Sequence, residues 1–192
     1  MRELSFRKER RRFRFDFSVL PSVLKWVVEI AIVCFLAFVI VWYFGQRVST
    51  IGDSMKPVLE NGDITLVNRI VYNASRPKRG DIIAFHPNGN EKSYCYIKRI
   101  VGLPGETVEL KDGQVYINGE AIKEKYETIP WEDTGVIEEA VVLKDDEYFV
   151  LGDDRQNSED SRNSEIGNVK REEIEGKVWF VISFGKNFGF VK

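Results

Sequence analysis

One serine in the chain lies in a setting that suits a nucleophile. Ser54 belongs to the turn Gly52–Met55, which Pro57 closes, and the turn follows soon after a long apolar run. The glycine allows the backbone to approach a ligand closely. A serine hydroxyl can attack a carbonyl carbon when a neighbouring base takes its proton. A serine in such a turn can also serve only to stabilise the turn, so the choice depends on finding a base.

Two lysines are candidates for that base. Lys56 lies on the same turn, where it should stay hydrated and protonated, with an ordinary pKa near 10.4. Lys98 lies inside an apolar run, and in a regular strand it shares one face with Tyr96 and Ile100 while Arg99 faces the other way. Burial would lower the pKa of Lys98, as a general base requires. On these residues alone, a surface lysine beside Arg99 remains an alternative.

The sequence offers little material for other catalytic chemistry. His86 is the only histidine. It lies in a turn signal at a strand end, with no evident partner for a Ser-His-Asp triad. Cys34 and Cys95 lack metal-ligand spacing, and we expect neither a disulfide nor a metal site. No cofactor is predicted.

The N-terminal segment is strongly basic although the 192-residue chain has a net charge of only −2. Seven Lys and Arg residues fall within residues 1–14. Such a block could bind nucleic acid or another polyanion. Because an apolar run follows closely, we interpret it as a cytoplasmic flank that obeys the positive-inside rule, and we expect no nucleic-acid partner.

The apolar run extends from Trp26 to Phe44, close to the roughly 20 residues that a helix needs to cross a bilayer. Glu29 lies one helical turn after Lys25 and can pair with it near the membrane surface. A cleaved signal peptide would have a shorter apolar region and a small-x-small exit site, which this segment lacks. We therefore predict an uncleaved anchor.

The region after the anchor is predicted to be built from β-strands. Short runs rich in β-branched and aromatic residues are separated by turn signals. The clearest hairpin surrounds Asp112-Gly113. These runs are 64–68, 81–85, 94–101, 107–118, 147–151 and 177–182. Residues 120–140 look like a variable excursion. The fold class is therefore mostly β, an antiparallel coiled sheet or partly closed barrel on a single N-terminal transmembrane helix.

Four segments behind one apolar span resemble, in this order, the motif set of type I signal peptidases. These segments are Gly52–Leu59, Gly80–Phe85, Tyr96–Glu106 and Gly152–Arg162. The resemblance covers the span and most of residues 50–185. That family consists of membrane-bound serine proteases with a Ser/Lys dyad, so the resemblance implies that Ser54 is the nucleophile and Lys98 the general base. It also implies a β-sheet scaffold whose apolar surface dips toward the bilayer.

The resemblance implies roles for several further residues. Ser158 matches the serine that hydrogen-bonds and orients the lysine, while Asp160 and Arg162 match a structural ion pair. Asp153 and Arg155 could act similarly or could form a solvated charge cluster. The positions that match the substrate-recognition surface are Gly52, Met55, Leu59 and Tyr96.

The chain departs from the family pattern at a few positions. Val58 replaces a threonine, and Asp154 stands where asparagine is common. If Asp154 lies close to Lys98, its charge would raise the pKa of the lysine and oppose its action as a base. Gly52 stands where some members carry an oxyanion-binding hydroxyl, so a backbone donor such as the Ser54 N–H must stabilise the oxyanion.

These observations give one interpretation and two alternatives. We expect a basic cytoplasmic tail at 1–22, an anchor at 23–45 and an extracytoplasmic catalytic domain at 46–192. This enzyme would remove signal peptides from exported preproteins at the outer face of the cytoplasmic membrane, with preproteins and the lipid bilayer as partners. One alternative is a membrane-tethered β-domain that only binds or scaffolds. The other is a self-cleaving repressor-type protease, which would require a DNA-binding module that the sequence lacks.

Overall fold

The computed structural model describes residues 20–44, 46–90, 93–111, 113–130, 140–183 and 188–191. The basic block at residues 1–14, on which the prediction of a cytoplasmic tail depends, lies outside these residues.

The N-terminal helix, α1, covers Leu20–Phe44 and begins slightly before the predicted anchor boundary. Its 25 residues correspond to about 37 Å of helix, longer than the roughly 30 Å hydrocarbon core of a bilayer. The stretch Leu20–Tyr43 has a mean hydropathy of 2.5. The predicted pair forms, with Lys25 Nζ 3.8 Å from Glu29 Oε1. Length and composition therefore allow α1 to cross a membrane.

The rest of the described chain is mostly β-structure. Its strands are β1 Gln46–Ser49, β2 Ile64–Asn68, β3 Ile82–Phe85, β4 Tyr96–Gly102, β5 Thr107–Lys111, β6 Gln114–Ile117, β7 Glu120–Ala121, β8 Val141–Val142, β9 Glu147–Leu151, β10 Val169–Lys170, β11 Ile174–Val181 and β12 Gly189–Phe190. A short helix, α2, covers Val71–Ala74, and 3-10 turns cover Pro87–Gly89 and Arg171–Glu173.

The strands form two antiparallel sheets. The larger sheet has the order β1-β2-β11-β3-β4-β9-β10, with β12 also paired to β11, and it curls into a half-barrel. The smaller sheet has the order β7-β6-β5-β8. The predicted hairpin is confirmed, because Lys111 pairs with Gln114 across the turn. The mostly β, partly closed antiparallel fold predicted from the sequence is confirmed.

Strand β4 lies in the middle of the larger sheet, between β3 and β9. Tyr96 and Ile100 contact one hydrophobic cluster, while Ile97 and Val101 belong to two others. This alternation places Lys98 on the face that Tyr96 and Ile100 share, as predicted. The apolar neighbours on both faces keep the whole strand from Ile97 to Gly102 buried.

The structure differs from the predicted strands in a few places. Five short strands were not predicted, because two to four residues are too few for a clear alternating pattern; these are β1, β7, β8, β10 and β12. Strand β11 begins at Ile174, before the predicted start at residue 177. Its register shifts between Ile174 and Gly176, which interrupts the alternation that the sequence would otherwise show there.

Candidate active site

Ser54 lies on the loop that connects β1 to β2. Hydrogen bonds between Thr50 and Asp63 and between Gly62 and Thr50, at 2.8 and 2.9 Å, close the base of this loop. At the nucleophile end Gly52 has φ +84°, a conformation that side-chain-bearing residues rarely adopt. Hydrogen bonds at its base therefore hold the loop that carries Ser54.

The amine of Lys98 contacts the hydroxyl of Ser54. Lys98 Nζ lies 2.7 Å from Ser54 Oγ, although the two residues come from different parts of the chain. Lys98 projects from β4, where it pairs with Ile83 of β3, and only 3% of its surface is exposed. The structure therefore brings together the two residues that the sequence predicted as nucleophile and base.

Burial lowers the pKa of Lys98 from 10.5 to about 8. Desolvation is the main cause, since a charged amine is disfavoured where water is excluded. The charges of Asp160 and Glu159 act in the opposite direction, and Arg162 assists the lowering. A neutral amine this close to the hydroxyl can accept its proton, as a general base must.

Asp154, the residue expected to disturb the base, is engaged elsewhere. Its Oδ1 accepts hydrogen bonds from the backbone N–H groups of Gln156 and Asn157, and its Oδ2 accepts from Asn157 Nδ2. It is not among the charges with the largest effects on the pKa of Lys98. Its own N–H donates to the Ser54 carbonyl at 3.0 Å, so its backbone holds the nucleophile.

Four charged residues of the last motif form ion pairs that are largely buried. Asp160 accepts two hydrogen bonds from the guanidinium of Arg162, at 2.7 and 2.9 Å, in the predicted structural pair. Asp153 makes a similar bidentate pair with Arg99, with both bonds at 2.7 Å. Asp153 is 0% exposed and Arg155 is 2% exposed. The interpretation of Asp153 and Arg155 as a solvated cluster is therefore wrong.

Ser158 does not make the expected hydrogen bond to Lys98. Its Oγ is buried and has no hydrogen-bond partner among the residues that the structure describes. The hydroxyl instead packs against Gly152, where an added Cβ would lie 2.2 Å from Ser158 Oγ and 2.4 Å from the Ser54 carbonyl oxygen. Ser158 is thus beside the nucleophile, but its role in orienting the lysine stays a prediction.

Ser54 and Lys98 open into a cavity of about 420 Å³. Gly52 and Tyr96 line it, as predicted. Met55 and Leu59 do not, because both are 0% exposed and belong to the hydrophobic cluster beneath the loop. Their predicted place on the recognition surface is corrected to the core.

Sequence reasoning missed several residues of the cavity wall, among them Ile51, Tyr94, Asn157 and Glu159. Ile51 and Tyr94 are 74% and 78% exposed, unusual for side chains of that size. Each of the four missed residues lies one or two positions from a predicted site residue in the sequence. That proximity was the only signal in the sequence.

The backbone around Ser54 offers a donor for an oxyanion. The Ser54 N–H donates no hydrogen bond within the described part of the chain. The Gly52 N–H, by contrast, donates to Asn61 Oδ1 at 3.1 Å. No group of three His, Cys, Asp or Glu side chains among the described residues could hold a metal ion. The site therefore has a hydroxyl, an amine with a lowered pKa and one available N–H.

The fold and the site together define a class of protein. A serine hydroxyl and a buried lysine amine share one cavity on a β-rich scaffold, and this arrangement suits a hydrolase.

Comparison with known proteins identifies the family. Signal peptidase, peptidase S26, matches residues 23–183 of the chain. Signal peptidase I P of Bacillus subtilis subsp. natto is 39% identical over 173 residues, which cover 86% of this chain and 91% of that protein. Signal peptidase IB of Staphylococcus aureus strain COL is 32% identical over 190 residues, covering 87% and 95%. A crystal structure of a signal peptidase I from Enterococcus faecalis V583 is 35% identical, with a TM-score of 0.41, and covers 57% of this chain and 98% of that chain. The chain belongs to the signal peptidase family.

Proposed function

We propose that this protein is a signal peptidase I that removes N-terminal signal peptides from exported preproteins, with Ser54 as nucleophile and Lys98 as general base. The observation that carries the proposal is the 2.7 Å contact between Lys98 Nζ and Ser54 Oγ on a buried amine. The names of the relatives support the same substrate class, since each is a signal peptidase I.

The reaction begins with transfer of the Ser54 hydroxyl proton to the neutral Lys98 amine while Oγ attacks the scissile carbonyl. The Ser54 N–H donates to the oxyanion that develops. The ammonium of Lys98 then protonates the leaving amine, and the mature protein departs. Lys98, neutral again, activates a water molecule that hydrolyses the acyl-enzyme and releases the signal peptide.

The cavity supports recognition of small residues before the cut. Its apolar wall includes Ile51, Tyr96 and Ile97. The motif set that the chain shares with type I signal peptidases implies small residues at the substrate positions just before the cut.

Helix α1 supports a membrane location. Its length and apolar composition are those of a spanning helix, and the basic block precedes it. In the proposed topology residues 1–22 are cytoplasmic, residues 23–45 cross the membrane once, and residues 46–192 lie outside. Exported preproteins present their cleavage sites on that outer side.

Cleavage of a preprotein in detergent or vesicles by site variants tests the proposal. Ser54→Ala and Lys98→Ala should abolish cleavage. Lys56→Ala is the matched control, because Lys56 lies on the same loop but pairs with Asp53 at 3.1 Å and should be dispensable. Full activity in Ser54→Ala or Lys98→Ala would refute the assignment.

A serine-reactive acylating probe separates the proposed enzyme from a protein that only binds or scaffolds. The proposal expects the probe to label Ser54 in the wild type and to lose that labelling in Lys98→Ala. A binding domain without catalytic activity would show no labelling in either protein.

A further inference from the structure

Residues 124–129 make unexpected contacts with the scaffold of the site. The sequence suggested that residues 120–140 form a variable excursion, yet residues 124–129 pack against the last motif. We call residues 124–129 the strap. Ile129 forms a parallel bridge with Asp154, in which the Ile129 N–H donates to the Asp153 carbonyl and the Arg155 N–H donates to the Ile129 carbonyl, both at 2.9 Å.

The strap side chains bind two of the buried arginines. Glu124 Oε1 accepts a hydrogen bond from Arg155 Nη2 and another from the Tyr126 hydroxyl at 2.7 Å. The Tyr126 ring lies over Arg99, with its centroid 4.0 Å from Cζ. Arg155 has a side-chain exposure of 1%, so its charge depends on partners within the protein.

The residues that the strap contacts are themselves in contact with Ser54 or next to Lys98. The 153–155 backbone is held by Ile129 on one edge, and on its other edge the Asp154 N–H donates to the Ser54 carbonyl at 3.0 Å. Arg99 is also adjacent to Lys98 in β4. The strap therefore touches the immediate supports of both Ser54 and Lys98, yet none of its residues lines the cavity.

We infer that the strap is a positioning element for the Ser54/Lys98 pair, with Glu124 and Tyr126 as its positioning residues. This inference rests on the proposed function. The strap contacts the residues that hold Ser54 and Lys98, and it does not line the cavity. Loosening the strap should therefore displace Ser54 relative to Lys98 without changing the substrate-binding wall. Such a variant should lose kcat and keep KM. A displacement of about 1 Å can reduce a rate by about 10²-fold.

The test compares Glu124→Gln and Tyr126→Ala with Glu127→Gln in the full-length protein, using a preprotein substrate. Glu127 lies on the same strap but is exposed, which makes it the matched control. We expect kcat to fall by about tenfold or more in both strap variants, with KM within about twofold of wild type. The control should have wild-type values.

The pH–rate profile adds a second readout, taken as the rate per folded molecule with the folded fraction measured by urea unfolding. The charge of Glu124 is not among the largest influences on the pKa of Lys98. The strap variants should therefore keep the wild-type midpoint while kcat falls. If Glu124→Gln does not fold, Tyr126→Phe serves instead, since it keeps the ring over Arg99 and loses only the hydroxyl contact to Glu124. It should also lower kcat at constant KM.

Two outcomes would overturn the inference. One is wild-type kcat in the folded strap variants, and the other is a raised KM at unchanged kcat, which would make the strap a substrate-binding segment. Failure of the proposed function has a different signature. In that case Ser54→Ala would remain active whatever the strap variants do.

Discussion

The pH dependence of cleavage tests the central feature of the site, the low pKa of Lys98. With a pKa of about 8, about 9% of the lysine is neutral at pH 7 and about 91% at pH 9. If the neutral amine is the base, kcat/KM should rise about tenfold over that range, because this constant reports groups of the free enzyme. An ordinary lysine with a pKa near 10.4 would still be mostly charged at pH 9.

A substitution at the cavity wall should lower the pKa of Lys98 further. The charge of Glu159 raises the pKa of Lys98, so Glu159→Gln should move the midpoint of the profile to lower pH and increase activity at pH 7. Asp154→Asn is the control, because the charge of Asp154 is not among the largest influences on Lys98. Its midpoint should stay at the wild-type value.

The assay is the initial rate of cleavage of a preprotein between pH 6 and pH 10 at substrate concentrations below KM. The substrate should have no titratable residues near the cut, so that the profile reports the enzyme. A flat profile, or a wild-type midpoint near that of an exposed lysine, would refute the argument that burial prepares the base. A midpoint that moves to higher pH in Glu159→Gln would refute the proposed electrostatics.

Two further predictions concern packing and stability. Gly152→Ala should reduce kcat by about 10²-fold or abolish cleavage, because the new methyl group would lie 2.4 Å from the Ser54 carbonyl oxygen and must displace it; wild-type kinetics would show that the site can absorb the methyl group. Lys98→Met should be inactive but more stable at pH 7, as measured by urea unfolding in detergent. The lowering of the Lys98 pKa from 10.5 to about 8 corresponds to about 3 kcal/mol of destabilisation while the lysine is protonated. This cost is full below pH 8 and disappears as pH rises to about 10.5, so the stability advantage of Lys98→Met should shrink above pH 8; an equal advantage at all pH values would contradict it.

Local patterns in the sequence predicted most of the fold, and the resemblance of four motifs to a known family implied the two central residues. The alternation around Lys98 indicated its face of β4, and turn residues indicated the β5–β6 hairpin. Such signals are local, because they depend on the period of a strand or the needs of a turn. They identify a buried face without identifying what covers it.

Contacts between distant segments were the part that the sequence could not predict. Glu124 lies in a stretch of alternating Glu and Lys that is typical of a solvated surface, and only the folded chain brings it to Arg155. The same limit applies to Met55 and Leu59. Their motif positions suggested a recognition surface, whereas both side chains are buried in the hydrophobic cluster beneath the loop.

Two neighbouring basic residues of β4, Lys98 and Arg99, differ in the groups that surround them. Consecutive residues of a strand face opposite sides, so Lys98 and Arg99 project into different surroundings. On one side Arg99 meets the carboxylate of Asp153 in a bidentate pair that is 2% and 0% exposed. On the other side Lys98 meets a hydroxyl at 2.7 Å, and the burial of its amine favours the neutral form. A register slip of one residue would exchange these surroundings and leave the base charged, so the pairing of Lys98 with Ile83 across β3 and β4 is as necessary to the proposed chemistry as the lysine itself.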